Sequence, residues 1–290
     1  MGKKRKLAYQ TGHKAAKQPP TPQGKKIAKG PSDTKPKPST STPPKQVPTR
    51  PQEPTIPFSP EDAILLVGEG DLSFSASLVE HHYCENITAT VLEASEDDLK
   101  TKYPHVGENI AKIEAEGSKV VYAVDARKMG PFANKKGKDA VGTMDRIIFN
   151  FPHVGGKSTD VNRQVRYNQE LLVDFFKRAL LSLAPRGTII VTLFEGEPYT
   201  LWNIRDLGRH SGLQVERSFR FQASAYPGYH HARTLGVVKN KQGEVGGGWK
   251  GEDRAARSYV FVRKDEVPKP VSRKRRRSLG DGEDDSSDEG

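Results

Sequence analysis

The sequence predicts an α/β fold with a mostly parallel central sheet and helices on both faces. Two observations carry this. From Ala63 onward, short apolar runs ending in glycine or polar residues alternate with segments of helical periodicity. That is the pattern of strands buried on both sides and joined by crossover helices. The charge is also unevenly divided: Met1–Pro57 carries net +11, residues 58–264 net +2, and residues 265–290 net −2. A near-neutral block long enough for one domain with a real core therefore sits between two charged tails.

The elements follow in order. Ile64–Val67 is a buried strand, and Leu72–His82 a helix with Asp71 or Ser73 as N-cap. Asn86–Ser95 is a second β-rich run, followed by helices over Ser95–Tyr103 and Glu108–Gly117. Lys119–Ala126 and Met144–Pro152 are the third and fourth strands. Over Asn168–Ala184, Leu171, Leu172, Phe175, Phe176, Ala179, Leu180 and Leu183 share one helical face. Pro185–Gly187 stops that helix, and Thr188–Phe194 is the fifth strand. Leu201–His210 reads as helix, and Val215–Phe221, Arg233–Val238 and Val260–Val262 as late strands.

The tails read differently. Residues 1–57 hold 12 of the 21 prolines and few large apolar residues, too few to offset the entropy of ordering, so disorder is expected. Residues 265–290 place a basic block, Arg273–Arg277, before an acidic-serine run and also read as disordered. With Lys3–Lys6, that block suits nuclear import or nucleic-acid contact. A lone cysteine, Cys84, excludes an internal disulfide and a Cys-based zinc site. No apolar run approaches the roughly 20 residues of a membrane span, and the basic N-terminus lacks the apolar stretch of a secretory signal. The expectation is a soluble nuclear protein.

In a parallel sheet the ligand lies outside the carboxyl ends of the strands. After the first strand stands the turn Gly68, Glu69, Gly70, Asp71, where glycine lets backbone approach a ligand closely. Glu93 follows the second strand, placed to accept ribose hydroxyls. Asp125 follows the third, placed to accept from an adenine amino group. Together these describe an adenosine-binding edge. The missing third glycine of a dinucleotide fingerprint, and the lack of a phosphate-binding Lys-Ser/Thr, disfavour a phosphate-bearing cofactor. S-adenosylmethionine has no phosphate and suits the turn better. After the fourth strand, Asn150, Phe151, Pro152 and His153 form a variant of the element by which methyltransferases hold a planar nitrogen.

The stretches "VGEGDLSFSASL", "FNFPHVGG", "NQELLVDFFKRALLSLAPRGTIIVTLFEGEPYTLW" and "YPGYHHART" together resemble the Rossmann-like methyltransferases typified by the fungal 25S ribosomal-RNA uridine-N3 methyltransferase, over roughly Ala63–Val262. A related domain occurs fused to a ferredoxin-fold anticodon-binding domain, for which this chain is expected to have no room. The resemblance implies methyl transfer from S-adenosylmethionine to N3 of a large-subunit rRNA uridine, in the nucleolus and on the pre-60S particle. It implies Gly68, Glu69, Gly70, Asp71, Glu93 and Asp125 at the cofactor, and Asn150 to His153 facing the target base.

N3 reacts readily once its proton leaves, so His153 and Asp71 are the candidate bases, with Asn150 as a further catalytic residue. The target must leave its pair, with Phe151 or Tyr199 available for stacking. Tyr226, Tyr229, His230 and Arg233, in "AYPGYHHART", suit RNA contact. Neighbouring His230 and His231 lack further ligands at metal spacing, so no metal is expected. Two alternatives stand beside this reading: a non-catalytic rRNA-binding assembly factor with a methyltransferase-like fold, and a nicotinamide-dependent oxidoreductase.

Overall fold

In the computed structural model, residues 53–266 are described, apart from 136, 138, 139, 157, 235 and 237–250. Residues 1–52 and 267–290, and the disorder expected of those tails, lie outside the described residues. So does half of the strand expected over Arg233–Val238, whose described residues are not in strand.

Seven strands form one sheet in the order β3-β2-β1-β4-β5-β7-β6. They are β1 (Ala63–Leu66), β2 (Asn86–Thr90), β3 (Lys119–Val121), β4 (Met144–Asn150), β5 (Leu183–Phe194), β6 (Leu213–Phe221) and β7 (Ala256–Arg263). β1 to β5 run parallel to one another, and β7 pairs antiparallel with both β5 and β6. The helices are α1 (Ser73–His82), α2 (Glu96–Lys102), α3 (Val106–Ala115), α4 (Val161–Ser182) and α5 (Ile204–His210).

Strand alternation explains how both faces are covered. In β1, Ile64 and Leu66 join the core under α1 to α3, while Leu65 and the following Val67 join the core under α4 and α5. Each is buried, as the two-residue period of a strand requires. On α4, Leu171, Leu172, Phe175, Phe176 and Ala179 are buried as the sequence predicts, each large one stabilising by about 1.5–3 kcal/mol.

Several boundaries differ from the sequence-based expectation. β2 ends at Thr90 and β3 at Val121, so Glu93 and Asp125 lie in loops beyond the strands. Ala123, just past the end of β3, has φ +58, which ends regular pairing. α4 begins at Val161, two turns before the apolar periodicity does, with Asp160 accepting from the Arg163 N–H. Pro185–Gly187 falls within β5, where the register jumps from Met144↔Leu183 to Arg146↔Thr188; these residues bulge out rather than ending a helix. Leu201–His210 is broken, a 3₁₀ turn over Tyr199–Trp202 meeting α5 at Asn203 with φ +51.

The order reverses between β1, which leads outward to β2 and β3, and β4, which leads to β5. That switch point opens the crevice in which open α/β sheets bind ligands. The opposite face is packed tightly: a Cβ at Gly208 of α5 would lie 2.4 Å from Cε1 of the buried Phe261. Gly208→Ala is therefore expected to lower unfolding stability by about 1–3 kcal/mol through overpacking, read as a reduced urea midpoint at unchanged slope.

Candidate functional site

A cavity of about 560 Å³ lies at the carboxyl ends of β1, β2 and β4, within the range of small-molecule sites. Gly68, Glu69, Gly70, Asp71, Glu93 and Asp125 all line it, as do Asn150, Phe151, His153, Tyr199, Tyr229, His230 and Arg233. Residues far apart in sequence, Gly68 and Arg233 among them, thus share one wall system.

The first turn is shaped by its own acids. Gly68 has φ +66, and a Cβ there would stand 2.8 Å from the Phe149 ring, so no other residue fits without strain. α1 starts from Leu72 in a left-handed conformation with no side-chain N-cap at that residue. Its first amides are satisfied otherwise. Asp71 Oδ1 accepts from the Ser73 N–H at 3.1 Å and hydroxyl at 2.7 Å. Glu69 Oε2 accepts from the Ser75 N–H at 3.3 Å and hydroxyl at 2.9 Å. A helix N-terminus is a ready anion site only while its N–H groups are free; here two carboxylates hold those of Ser73 and Ser75. A pyrophosphate would have to displace them, which argues against the nicotinamide alternative.

Burial raises the pKa of Glu69 to about 7, partly offset by the bonds from Ser75 and assisted by nearby Asp71. Burial likewise raises Asp71, against its bonds from Ser73. Glu93 is ion-paired to Lys102 of α2 through Oε1. Asp125 accepts from the Arg127 backbone N–H at 2.9 Å and from its guanidinium. Desolvation is the largest single influence on its carboxyl, yet these bonds together outweigh it and hold the pKa below the usual range. Four carboxylates, with Glu69 near its midpoint at neutral pH, share the lining with three cations, Lys102, Arg127 and Arg233; the acids stand at the turn and beyond the strand ends.

At the end of β4, the side-chain Nδ2 of Asn150 is buried with no hydrogen-bond partner among the described residues. A buried unpaired amide costs about 1–3 kcal/mol and calls for a partner. Phe151 has φ +50, and its N–H donates to the Thr192 carbonyl at 2.8 Å. Its ring meets Phe194 and His231, both at 4.4 Å between centroids. The next loop is tied to α4: Asn168 Oδ1 accepts from the Val154 N–H at 3.0 Å, and Gln164 Nε2 donates to the Gly155 carbonyl at 2.6 Å. His153 Nδ1 accepts from the Gly155 N–H at 2.9 Å, and burial lowers the imidazole pKa. The ring is then neutral at neutral pH with its proton on Nε2.

"AYPGYHHART" is a cover over the first turn rather than a free loop. The His230 N–H donates to Ser73 Oγ at 3.0 Å, and Tyr103 donates its hydroxyl to the Arg233 carbonyl at 2.7 Å. Its inner face carries Tyr229, whose hydroxyl lies 3.1 Å from His231 Nδ1. Burial pulls the His231 pKa down to about 4, so that ring is neutral.

Two expectations about the substrate surface are corrected. Tyr226 is 4% exposed and stacks on Phe221 at 5.4 Å; it is core and has no face for an RNA base. Pro152 is buried and lies outside the cavity lining, its role being to turn the chain after β4. His153 also cannot act as a base through Nδ1 while that nitrogen accepts from Gly155, a revision of its expected role. Sequence reasoning missed Lys102, Gln164, Asn168, Phe194 and Arg254. Arg254 lies 4.0 Å over the Phe194 ring and 5.5 Å from that of Tyr199, forming a stacked cationic rim; no spacing signal announces it, because it comes from a distant part of the chain.

The residues fit S-adenosylmethionine on two observations: a turn whose Ser73 and Ser75 amides are already taken by carboxylates, and Asp71, Glu93 and Asp125 set along the cavity where an ammonium, ribose hydroxyls and an adenine amino group would lie. Glu69 supplies a test. Its folded pKa is raised, so the stabilising contribution is complete below about 4.5 and is lost as pH rises through about 7. Glu69→Gln keeps an acceptor for Ser75 and removes the titration. The variant should gain stability over wild type between pH 5 and 8 by up to about 3 kcal/mol, measured by urea unfolding; a pH-independent difference contradicts the burial.

The family model described as rRNA (uridine-N3-)-methyltransferase BTM5-like matches residues 65–233. The 25S rRNA (uridine(2634)-N(3))-methyltransferase of Saccharomyces cerevisiae is 30% identical over 255 residues, covering 71% of this chain and 74% of that one. A protein of Arabidopsis thaliana described as uncharacterized is 36% identical over 183 residues, 62% of this chain and 85% of that one. The mouse ferredoxin-fold anticodon-binding domain-containing protein 1 homolog is 32% identical over 181 residues, but these are 57% of this chain and 27% of that one. Since the model spans more than half of its length and includes the turn, the acids and the Asn150–His153 element just described, the chain belongs to the BMT5-like rRNA (uridine-N3-)-methyltransferase family.

Proposed function

We propose that this protein transfers a methyl group from S-adenosylmethionine to N3 of a uridine in large-subunit ribosomal RNA. The observation that carries this reading is the acid-lined cavity at the switch point, its turn closed to phosphate at Ser73 and Ser75 and the unpaired Asn150 Nδ2 at its edge, in a chain of this family.

When bound, S-adenosylmethionine supplies an electrophilic methyl on a sulfonium. Gly68 and Gly70 would bring backbone close to it, and Asp71, with the ionised fraction of Glu69, would offset its positive charge. Glu93 and Asp125 are placed for the ribose hydroxyls and the adenine amino group. Asn150 orients the target base, and Phe151 and Tyr199 present aromatic edges to it. Most of the rate enhancement then comes from holding nucleophile and methyl in line. The N3 proton must leave in the same event; Asp71, desolvated and facing the cavity, is the remaining candidate acceptor from the sequence-based pair.

N3 lies on the Watson–Crick edge, so the uridine must be unpaired or flipped. A second cleft supports RNA as the substrate. Arg127, Lys128, Lys177 and Arg178 line it with a single carboxylate, Asp174, and Arg127 also lines the main cavity. That charge suits a phosphate backbone running past the site. Nuclear and nucleolar localisation, and action on the pre-60S particle, extend the proposal; the basic clusters Lys3–Lys6 and Arg273–Arg277 support them as sequences read by import machinery.

Nucleoside mass spectrometry of rRNA from a strain lacking the protein tests the activity. Loss of 3-methyluridine is expected, and mapping the missing mark identifies the uridine. An unchanged level rejects the enzyme and favours the assembly-factor alternative. The double substitution Lys177→Glu, Arg178→Glu should weaken RNA binding and reduce its salt slope by about 1 for each phosphate no longer neutralised. Affinity for S-adenosylhomocysteine should stay unchanged; an unaltered salt slope contradicts phosphate binding at this cleft.

A further inference from the structure

Alkylating N3 of a uracil is limited by the proton that N3 carries. Once it leaves, the negative charge is spread over N3 and the two flanking carbonyl oxygens. A site can promote the step in two ways: by taking the proton, or by donating hydrogen bonds to an oxygen on which the charge develops. The second acts as an oxyanion hole does.

The chain fixes His153 for the second task. Its Nδ1 is occupied by the Gly155 N–H at 2.9 Å. A backbone amide is only a donor, so Nδ1 is the acceptor and the neutral ring carries its hydrogen on Nε2. That orientation does not depend on one side chain alone. The loop presenting Gly155 is clamped on either side, through Val154 to Asn168 Oδ1 at 3.0 Å and through the Gly155 carbonyl to Gln164 Nε2 at 2.6 Å. Asn168 is itself 1% exposed and donates back to the Gln164 carbonyl at 2.8 Å. His153 lines the same cavity as Asn150, whose amide is unpaired.

We infer that His153 serves the reaction as a hydrogen-bond donor: its Nε2–H holds a carbonyl oxygen beside N3 of the target uracil and stabilises the anion formed as the N3 proton passes to the Asp71 carboxylate. Gln164 and Asn168 are positioning residues that lock this tautomer through the backbone of Gly155 and Val154. The inference rests on the methyltransferase reading and names what that reading left open, the role of the histidine in "NFPH".

The test compares His153→Gln with His153→Ala in the full-length chain. The substrate is deproteinised large-subunit rRNA from a strain lacking the enzyme, with 3-methyluridine as the readout. Glutamine donates from its amide and cannot serve as a base near neutral pH. The alanine variant should lose about 10²–10³ in kcat, the loss typical of one oxyanion donor. The glutamine variant should recover most of that loss and keep the wild-type pH profile. A glutamine variant as inactive as alanine, or one that loses a limb of the pH profile, overturns the donor role in favour of a base. Affinity for S-adenosylhomocysteine, measured by calorimetry, should be equal in all three proteins. A wild-type protein that binds S-adenosylhomocysteine but forms no 3-methyluridine rejects the methyltransferase reading, and the donor role with it. That outcome is distinct from failure of the glutamine rescue alone.

Discussion

The capture of the first amides of α1 by two carboxylates shapes the rest of this site. In phosphate-binding α/β folds those amides are left for the ligand. Here Asp71 and Glu69 take the N–H groups of Ser73 and Ser75, together with both hydroxyls. The turn is thereby closed to anions and made hospitable to cations. The same bonds leave Ser73 Oγ able to accept from His230, so the loop over the cavity is anchored to the turn that defines the cavity's chemistry. Selecting a ligand and covering it are physically one arrangement.

The far wall is organised from the other face of the sheet. Helix α4 packs its apolar stripe against β4 and β5, while its polar first turns reach back to the Val154–Gly155 loop through Gln164 and Asn168. A core helix thus sets the orientation of a histidine in the cavity. Binding groups held in this way by rigid elements and a supporting shell are more accurately placed than groups on unsupported loops. The strained φ of Phe151 at +50 belongs to the same junction: the chain turns sharply from β4 into the cavity, and the turn is held by the Thr192 carbonyl and a ring of aromatic neighbours.

Much of this was legible in the sequence because it follows from local pattern. Ile64–Val67 could hardly be anything but a buried strand, and the stripe from Leu171 to Ala179 needs a sheet beneath it. The glycine turn, Glu93, Asp125 and Asn150 were legible as candidates because a parallel sheet brings its carboxyl ends together. What escaped depends on long-range partners. Glu93 and Asp125 look strand-terminal, yet Ala123 ends regular pairing early. Tyr226 sits in a sequence rich in aromatic and basic residues that suits RNA contact, and its burial against Phe221 and Phe74 emerges only in three dimensions. The His153 tautomer depends on a backbone amide two residues on, and the start of α4 is marked by polar residues whose partners are loop carbonyls and amides rather than core.

The central claim is that this cavity takes a cationic, phosphate-free nucleoside cofactor. Calorimetric titration of the full-length protein with S-adenosylhomocysteine, and separately with NADH, tests it most directly. One-to-one binding of S-adenosylhomocysteine with no heat of binding from NADH is the predicted result. Binding of NADH, or of neither ligand, would contradict the account.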